Sequence, residues 1–388
     1  MGFRYAVVGA GRQGVAAAYD MARFGDAAEV LLIDVHEELA RVGAERVNLS
    51  AGRKVAKSAR GDVGKREEML HLLDGVDAFV SAVPYHFNPL LTEVAIRVRA
   101  SMCDLGGNTD VTHSQLARHA DAKAAGVAIV PDCGMGPGMN ISLGLYAMSL
   151  LDRAEEVYIY DGGLPQYPEP PWNYALTFHV GGLTNEYAGE ACFLRDGRVV
   201  AVPGLSEAET LELPPLGTLE AAVTTGGLST MPWTFEGRLR RLENKTLRYP
   251  GHWAQMQAYT HLGLLDLEPM QVGSVQVVPR EVFHALLEPR ITTLDVRDVC
   301  IVHIRCVGLK DGKPAEATVS LVDYYDDKTG FRAMERLTGW HASIVAILSA
   351  HGQIRNGAIP VELALPGEIA AHEARRRGFH IEEHVRWL

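Results

Sequence analysis

The chain of 388 residues is long enough for two domains, and its 22% charged and 47% hydrophobic residues are typical of a globular protein. A formal net charge of −11 argues against a nucleic-acid partner, and no apolar run reaches the roughly 18 residues that a membrane helix needs. The five cysteines lack CxxC spacing and no HExxH motif is present, so we expect reduced core thiols and no metal site. We therefore predict a cytoplasmic protein whose folded domain begins at Met1, without a signal peptide.

Residues 1–34 have the pattern of a dinucleotide-binding βαβ unit rather than of an ordinary strand–turn–helix. An apolar strand at residues 5–8 leads into a glycine-rich turn, and a second apolar run at residues 30–33 ends at Asp34. Such glycines let the backbone approach a pyrophosphate, and the N-terminus of the following helix favours that anion. The carboxylate is placed to bind the adenosine ribose and to repel the 2′-phosphate of NADP, so we predict NAD as the cofactor. The predicted cofactor-binding residues of this unit are Gly9, Ala10, Gly11, Arg12, Gln13, Gly14, Asp34 and Val35.

The next hundred residues continue the alternation of strands and helices. Helices are predicted at residues 37–47, 65–73, 89–98 and 112–126, and strands at residues 55–58, 78–80, 101–104 and 127–130. Ligands of open α/β sheets bind beyond the carboxyl ends of the strands. After the fourth strand, we therefore expect Ala82, Val83 and Pro84 to contact the nicotinamide half, and Tyr85 and His86 to face the same crevice.

Two other loops border this predicted site. Gly106 and Gly107 follow the fifth strand and should lie on the same rim as Tyr85, close to a substrate. Asp62 follows the third strand and is either a partner of the adenine amine or an ordinary turn carboxylate. Residues 131–140 contain too much glycine and proline for a helix or a strand, and we place the domain boundary there.

Beyond residue 154 the apolar residues alternate, which indicates strands of a largely antiparallel sheet. Strands are predicted at residues 156–160, 175–180, 198–202, 299–307 and 315–325, the last two joined by an Asp311-Gly312 hairpin turn. A helix at residues 339–350 needs an apolar surface to cover, for which the first sheet is a candidate. The charged tail, 368–388, is expected to start as a helix with Arg375, Arg376 and Arg377 in solvent.

Several motifs give the chain a resemblance to the saccharopine dehydrogenase-like family, and most closely to its lysine 6-dehydrogenase branch. They keep the family's order and span nearly the whole chain. The motifs are VVGAGRQG (7–14), SAVPY (81–85), DCGMGPGM (132–139), NEY (185–187), TGGLST (225–230), KTLRYPGH (245–252) and LTG (337–339). The motifs at 132–139 and 245–252 are the most specific of these.

The resemblance implies an α/β protein in three parts. These are a Rossmann NAD-binding domain at residues 1–133, an α+β substrate and dimerisation domain with a mixed, largely antiparallel sheet at residues 134–332, and a C-terminal helical segment at residues 333–388 that packs back on the Rossmann domain. It also implies a homodimer, which is frequent in the family, and the oxidation or reduction of a carbon bearing an amino group with NAD(P). Trp340-His341 replaces an aromatic–proline pair common in the family, and we expect this change to affect packing rather than chemistry.

The chemistry requires a neutral amine, whereas a lysine amine has a pKa near 10.4, so the protein must desolvate the amine or supply a base. By resemblance, Tyr85 and Asp110 are candidate proton-transfer groups. Asp110 is also a suitable helix N-cap, and Asp104 is the alternative acid.

The carboxylate of an amino-acid substrate requires a guanidinium or a cluster of donors, and Arg248 is our candidate. The alternative role for Arg248 is to brace a loop through backbone carbonyls. His252 is a candidate for water activation or a buried structural residue. His179 would face the cleft from its predicted strand only if the register is correct.

Three functions are compatible with these features. The first is NAD-dependent oxidation of the side-chain amine of L-lysine to 2-aminoadipate 6-semialdehyde with release of ammonia. The second is a saccharopine-type or carboxynorspermidine-type reductase that condenses an aldehyde with an amino acid, which predicts a roomier cleft and a second carboxylate-binding arginine. The third is a catalytically silent NAD-binding protein.

Overall fold

The computed structural model describes residues 2–177, 179–293 and 295–388. Its strands are β1 Phe3–Val8, β2 Ala27–Asp34, β3 Ala56–Arg60, β4 Ala78–Ser81, β5 Ser101–Asp104, β6 Ala128–Val130, β7 Arg153–Pro165, β8 Glu190–Arg195, β9 Arg198–Pro203, β10 Glu209–Leu213, β11 Gly217–Val223, β12 Arg241–Arg248, β13 Met270–Val272, β14 Val275–Val277, β15 Asp298–Lys310, β16 Lys313–Tyr324, β17 Gly357–Ala358 and β18 Ile381–Trp387.

The helices follow the same chain order. They are α1 Arg12–Phe24, α2 Glu37–Ala51, α3 Arg66–Leu72, α4 Asn88–Val98, α5 Thr109–Leu116, α6 His119–Ala125, α7 Met139–Ser149, α8 Val180–Glu186, α9 Met231–Thr234, α10 His252–His261, α11 Pro279–Ile291, α12 Ala333–Glu335, α13 His341–Ala350, α14 Val361–Ala364 and α15 Gly367–Arg376. A 3₁₀ turn spans Tyr85–Phe87 and a π-helical turn spans Arg336–Trp340. No helix in the described ranges is both long and apolar enough to cross a membrane.

The first sheet has the parallel Rossmann order that the sequence predicts. Its seven strands run β17-β6-β5-β4-β1-β2-β3, and all of its pairings are parallel. The carboxyl ends of β1, β4, β5 and β6 therefore meet at one edge, where ligands of such sheets bind. Residues 112–126, predicted as one helix, form the separate helices α5 and α6, and Gly126 ends α6 in a left-handed conformation.

The second sheet is mixed and mostly antiparallel, as expected. Its main path runs β10-β11-β12-β7-β15-β16-β18, and among these described strands only β12 and β7 pair in parallel. The predicted hairpin joins β15 to β16, with φ of 52° at Asp311 and 71° at Gly312. Positive φ at both central residues is the type I′ turn that Asp-Gly favours.

The C-terminal segment returns to the Rossmann domain, as expected, and then ends in the second sheet. Helix α13 packs on β4, β5 and α1, so it covers the first sheet. The Cys103 thiol donates to the Ala342 carbonyl at 3.2 Å. The expectation that residues 333–388 are helical is wrong for their last part, because β18 pairs with β16. The expectation that Arg377 is solvated is also wrong, because its side chain is buried.

The predicted strand at residues 175–180 is wrong. Residues 175–177 form a loop that ends before α8, and Phe178 lies outside the described residues. The alternating apolar pattern arises because Tyr174, Leu176 and Val180 all enter a small core with Trp253. A buried loop thus produced the periodicity of a strand.

Candidate active site

The glycine-rich turn after β1 has the backbone geometry of a pyrophosphate site. Gly9 has a φ of 105°, and a Cβ there would lie 2.5 Å from the Ala82 carbonyl oxygen. A Cβ on Gly14 would lie 1.9 Å from the Gly9 carbonyl oxygen, so this glycine permits the helix–strand contact. A Cβ on Gly11 would meet no atom of the described residues within 4 Å, which leaves the space at the N-terminus of α1 that a phosphate requires. These residues fit a dinucleotide.

Asp34 lies beside this turn in the position predicted for ribose recognition. Its Oδ2 accepts a hydrogen bond of 2.9 Å from the Ala10 N–H, and its Oδ1 accepts one of 2.9 Å from the His36 N–H. Both bonds fix the carboxylate next to the turn. By contrast, Asp62 accepts from the Gly64 N–H at 3.0 Å, which is the turn-carboxylate alternative.

The structure brings several predicted residues together at the nicotinamide side of the rim. A Cβ on Gly107 would lie 3.0 Å from the Tyr85 ring, so the fourth and fifth strand loops are in contact. A Cβ on Gly106 would lie 2.5 Å from Oδ1 of Asp132. His86 packs edge-on against Tyr85, with ring centroids 6.2 Å apart.

Asp104, the alternative acid of the sequence analysis, forms a buried carboxyl pair with Asp132 behind this rim, and this pairing was not predicted. Asp104 accepts hydrogen bonds from the Gly106 N–H at 2.9 Å, the Asp132 N–H at 3.1 Å and Gln115 Nε2 at 2.8 Å. Burial and the neighbouring Asp104 raise the pKa of Asp132 to about 7. Oδ2 of Asp132 accepts from Ser229 of the second domain, so the pair also links the two domains.

Asp110 lies at this edge but not at the helix cap that was its alternative role. The cap is Asn108, whose side chain accepts from the Val111 N–H at 3.0 Å. Asp110 instead lines a cleft of about 260 Å³ between α5 and the loop at residues 224–229, together with His113 and Trp233.

A second group of polar residues lies on one face of the second sheet. Asn244, Thr246 and Arg248 alternate along β12 and so share a face, and Asp161 of β7 pairs directly with Thr246. We call these four residues the polar face. A Cβ on Gly136, in the loop that leaves the Rossmann domain, would lie 3.1 Å from Oδ2 of Asp161. The polar face therefore lies next to the loop that follows β6.

Arg248 is 2% exposed, and its Nε has no hydrogen-bond partner among the described residues. Its Nη1 donates to the Leu247 carbonyl at 3.0 Å, which belongs to β12 rather than to a loop, so this structural bond uses only part of the guanidinium. Its Nη2 lies 3.8 Å from Oε2 of Glu186. The guanidinium also packs over the ring of Tyr174, 5.1 Å from its centroid, and the Tyr174 hydroxyl likewise has no described partner. Buried donors without partners are expected where a ligand binds.

Glu186 and Asp161 are candidate site residues that the sequence reasoning missed. The side chain of Glu186 is 30% exposed, and burial of the rest raises its pKa to about 7, against the lowering effect of Arg248. Burial raises the pKa of Asp161 to about 6. The available signals were the NEY motif at residues 185–187 and a carboxylate at the end of the apolar and aromatic run 157–160, directly before Gly162-Gly163.

The predicted histidines have different surroundings. His252 is buried among Tyr174, Tyr187 and Trp253, its Nε2 lies 2.8 Å from the Tyr187 hydroxyl, and burial lowers its pKa well below the usual value. This environment favours the structural alternative. His179 is not on a strand, because its Nδ1 accepts from the Gly181 N–H at 3.1 Å and caps α8.

His341 is fully buried and joins the C-terminal segment to the domain boundary. Its Nδ1 is 2.9 Å from the Cys133 carbonyl oxygen and its Nε2 is 2.9 Å from the Ser142 hydroxyl. A carbonyl only accepts, so Nδ1 carries the proton and Nε2 accepts from Ser142. Both ring nitrogens therefore make structural hydrogen bonds, which agrees with a packing role for the Trp340-His341 pair.

Comparison with protein families decides the relationship. Residues 5–130 match the model described as "Saccharopine dehydrogenase NADP binding domain", and residues 134–372 match "Saccharopine dehydrogenase C-terminal domain". The chain belongs to the saccharopine dehydrogenase family. Residues 5–130 thus form the NAD(P)-binding domain of this family, and residues 134–372 its C-terminal domain.

Relatives of this family member include the mitochondrial alpha-aminoadipic semialdehyde synthase of Mus musculus, 26% identical over 220 residues, which are 53% of this chain and 23% of the relative. The Arabidopsis thaliana alpha-aminoadipic semialdehyde synthase is 26% identical over 246 residues, 60% of this chain and 22% of the relative. The chain thus matches less than a quarter of the length of these curated relatives.

Solved structures show the same fold. Saccharopine dehydrogenase (L-Glu forming) from Saccharomyces cerevisiae matches with a TM-score of 0.78 and 17% identity, over 99% of this chain and 100% of that one. Homospermidine synthase from Legionella pneumophila, solved in complex with NAD, matches with a TM-score of 0.65 and 11% identity, over 99% of this chain and 91% of that one.

Proposed function

We propose that the protein oxidises the side-chain amine of L-lysine with NAD, giving 2-aminoadipate 6-semialdehyde and ammonia. The observation that carries this proposal is Arg248, a buried guanidinium with a free Nε on a face that adjoins the Rossmann domain. A guanidinium in that position is suited to the α-carboxylate of an amino acid. With the carboxylate held there, the substrate's side chain can extend toward the loop that follows β6, which contacts Gly106 on the Rossmann rim.

NAD rather than NADP is the proposed cofactor because of Asp34. Its carboxylate is fixed by the Ala10 and His36 N–H groups, at the place where a 2′-phosphate would bring further negative charge. Gly11 and the N-terminus of α1 would hold the pyrophosphate. A bound nicotinamide supplies the acceptor for the hydride.

The chain's own residues would bind, orient and shield the substrate. Loss of hydride from C6 and of a proton from the nitrogen forms a carbon–nitrogen double bond, to which water adds before ammonia leaves. Tyr85, in contact with Gly107 at the rim, is the proposed proton-transfer group nearest the nicotinamide side. Arg248 and its neighbours hold the other end of the substrate.

A condensing reductase is the second candidate, because the relatives include a saccharopine dehydrogenase and a homospermidine synthase. The product of a condensing reductase carries additional carboxylates or a longer chain than lysine does. Arg280 lies near Asn185 and would be the natural second arginine, but its Nε donates to the Leu265 carbonyl at 2.7 Å and its Nη1 to Asn185 Oδ1 at 3.1 Å. Because Arg280 is engaged, the lysine reaction is favoured.

The test is NADH formation, followed by absorbance, when the purified protein and NAD are mixed with L-lysine, L-ornithine, saccharopine or a polyamine at mildly alkaline pH. Turnover of L-lysine with release of one ammonia per NADH is expected. Turnover of saccharopine but not lysine would establish the condensing type instead. No turnover in either direction, with NADH still bound, would indicate a silent NAD-binding protein.

A further inference from the structure

We infer that Asp161 binds the side-chain ammonium of the substrate and selects dibasic amino acids, while Arg248 and Glu186 hold its α-carboxylate and α-ammonium. This inference rests on the proposed function and assigns the substrate contacts of the same site. It concerns three side chains whose positions are fixed by the second sheet and α8.

The first step of the argument is that Asp161 is held in place by other residues. Its Oδ2 accepts hydrogen bonds from Asn140 Nδ2 at 2.8 Å and from Asn244 Nδ2 at 3.0 Å. Asn140 is itself fixed, because its Oδ1 accepts from the Gly138 N–H at 3.0 Å and the Ile141 N–H at 2.7 Å. Both described bonds go to Oδ2, which leaves Oδ1 to accept from a ligand. A carboxylate supported in this way by a second layer of side chains is typical of binding sites.

The second step concerns charge. Asp161 is 6% exposed, yet no lysine, arginine or histidine of the described chain forms an ion pair with it within 4.0 Å. Its closest electrostatic partner, Arg248, lies nearer to Glu186, at 3.8 Å. A buried carboxylate without a paired cation is unfavourable unless a cation arrives with a ligand. Two carboxylates and one guanidinium complement two ammonium groups and one carboxylate.

The third step concerns distance. Thr246 pairs directly with Asp161, and Arg248 lies two residues further along the same strand. Two strand residues span about 6.6 Å, which suits the four-carbon stem of lysine. Asp161 is at the end close to Gly136 and the Rossmann loop, whereas Glu186 is at the Arg248 end. The side-chain amine therefore belongs with Asp161 and the α-ammonium with Glu186.

The experiment compares the binding of L-lysine and L-norleucine to the protein already loaded with NADH, by calorimetry at pH 8. Norleucine keeps both α groups and lacks the side-chain amine. Wild type should bind lysine about 10- to 100-fold more tightly, as expected for a hydrogen bond to a charged group. Asp161→Asn should abolish this preference while keeping norleucine affinity. Glu209→Gln, which changes a carboxylate that pairs with Lys245 on the opposite face of β12, should leave the preference unchanged.

A measurement on wild type alone tests the same assignment without a variant. Protonation of Asp161 should remove the lysine preference as the pH falls from 8 to 5, because burial raises the pKa of its carboxyl to about 6. The charged or titratable groups that face it are Arg248 of β12, Glu186 of α8 and Cys300 of β15. Protonation of Glu186 should change the affinities for lysine and norleucine equally, since both ligands carry the same α groups.

The outcomes separate this inference from the proposed function. A wild type without lysine preference, or an Asp161→Asn variant that keeps it, overturns the role of Asp161 even if lysine is oxidised. A wild type that prefers lysine through Asp161 but forms no NADH supports the binding assignment and overturns the proposed reaction. Loss of preference in Asp161→Asn together with lysine turnover supports both.

Discussion

Arg377 donates hydrogen bonds from Nε to both carboxylate oxygens of Asp20, at 2.8 and 2.9 Å, although the two residues are 357 positions apart. Asp20 is in α1 of the Rossmann domain, and Arg377 follows α15 near the C-terminus. Both side chains are fully buried. Ser343 also donates to Asp20, so three parts of the chain meet at one carboxylate.

Loss of one partner of this pair should destabilise the fold strongly. Arg377→Ala leaves Asp20 buried without its cation, and breaking buried ion pairs in this way costs about 3–5 kcal/mol. Urea unfolding measures the change. Arg376→Ala is the matched control, because its side chain is 51% exposed and its one described ion pair, with Glu373, is 3.4 Å long. Equal stability of the two variants would show that the pair contributes little.

The Asp20–Arg377 pair also shows which contacts cannot be predicted from local sequence patterns. The Rossmann strands and most helices were predictable, because the periodicity of apolar residues is a local property. Arg377 lies in a run of three arginines, which locally resembles a solvated face. Its partner is far away in sequence, and only the tertiary fold brings the two together. The same applies to residues 175–180, where a buried loop imitated a strand.

His341 should make stability depend on pH. Burial lowers its pKa from 6.5 to about 4, so the unfolded chain binds a proton more tightly than the folded one. The contribution of the neutral His341 side chain to the free energy of unfolding is complete above pH 6.5 and is lost as the pH falls toward 4. The shift corresponds to about 3 kcal/mol over that window. The difference in unfolding free energy between wild type and His341→Gln should therefore shrink from pH 7 to pH 4.5. A difference that stays constant with pH would contradict the buried neutral imidazole.

Gly11 and Gly14 of the cofactor turn should respond differently to substitution by alanine. Gly11→Ala should keep the melting temperature but weaken NADH binding at least tenfold, because the added Cβ meets no atom within 4 Å in the described part of the chain and would project into the pyrophosphate space. Gly14→Ala should lower both the melting temperature and the NADH affinity, because its Cβ would lie 1.9 Å from the Gly9 carbonyl oxygen. NADH fluorescence titration and thermal unfolding measure the two effects. Unchanged NADH affinity in Gly11→Ala would place the pyrophosphate elsewhere.

Asp34→Ala should reduce discrimination against NADP. The variant removes a carboxylate from the ribose position and leaves Arg60, which is paired with Asp34 in the β2–β3 register, as a cation for the 2′-phosphate. The ratio of kcat/KM for NAD to that for NADP should fall by tenfold or more. Glu45→Ala, a change of an exposed acid on the neighbouring α2, is the control. An unchanged ratio of the two kcat/KM values would show that Asp34 does not bind the ribose.

The candidate active site was only partly predictable. Motifs identified the loops that meet there, since glycine and proline restrict the backbone locally. They did not identify Asp161, because its importance comes from two amides, Asn140 and Asn244, that reach it from different elements. They also did not separate His252 from a catalytic histidine, because burial by Tyr174 and Trp253 is a property of the packed structure.

Arg248→Lys should weaken the binding of substrates that carry an α-carboxylate. Lysine keeps the positive charge but loses the planar fork of donors, including the Nε that has no partner in the described protein. KM for L-lysine should rise at least tenfold, while binding of a diamine without a carboxylate should not change. Arg241→Lys is the matched control, because Arg241 occupies an odd position of the same strand and faces away from the polar face. An unchanged KM for L-lysine in Arg248→Lys would assign this guanidinium to a structural role through the Leu247 carbonyl of β12 and remove it from the substrate site.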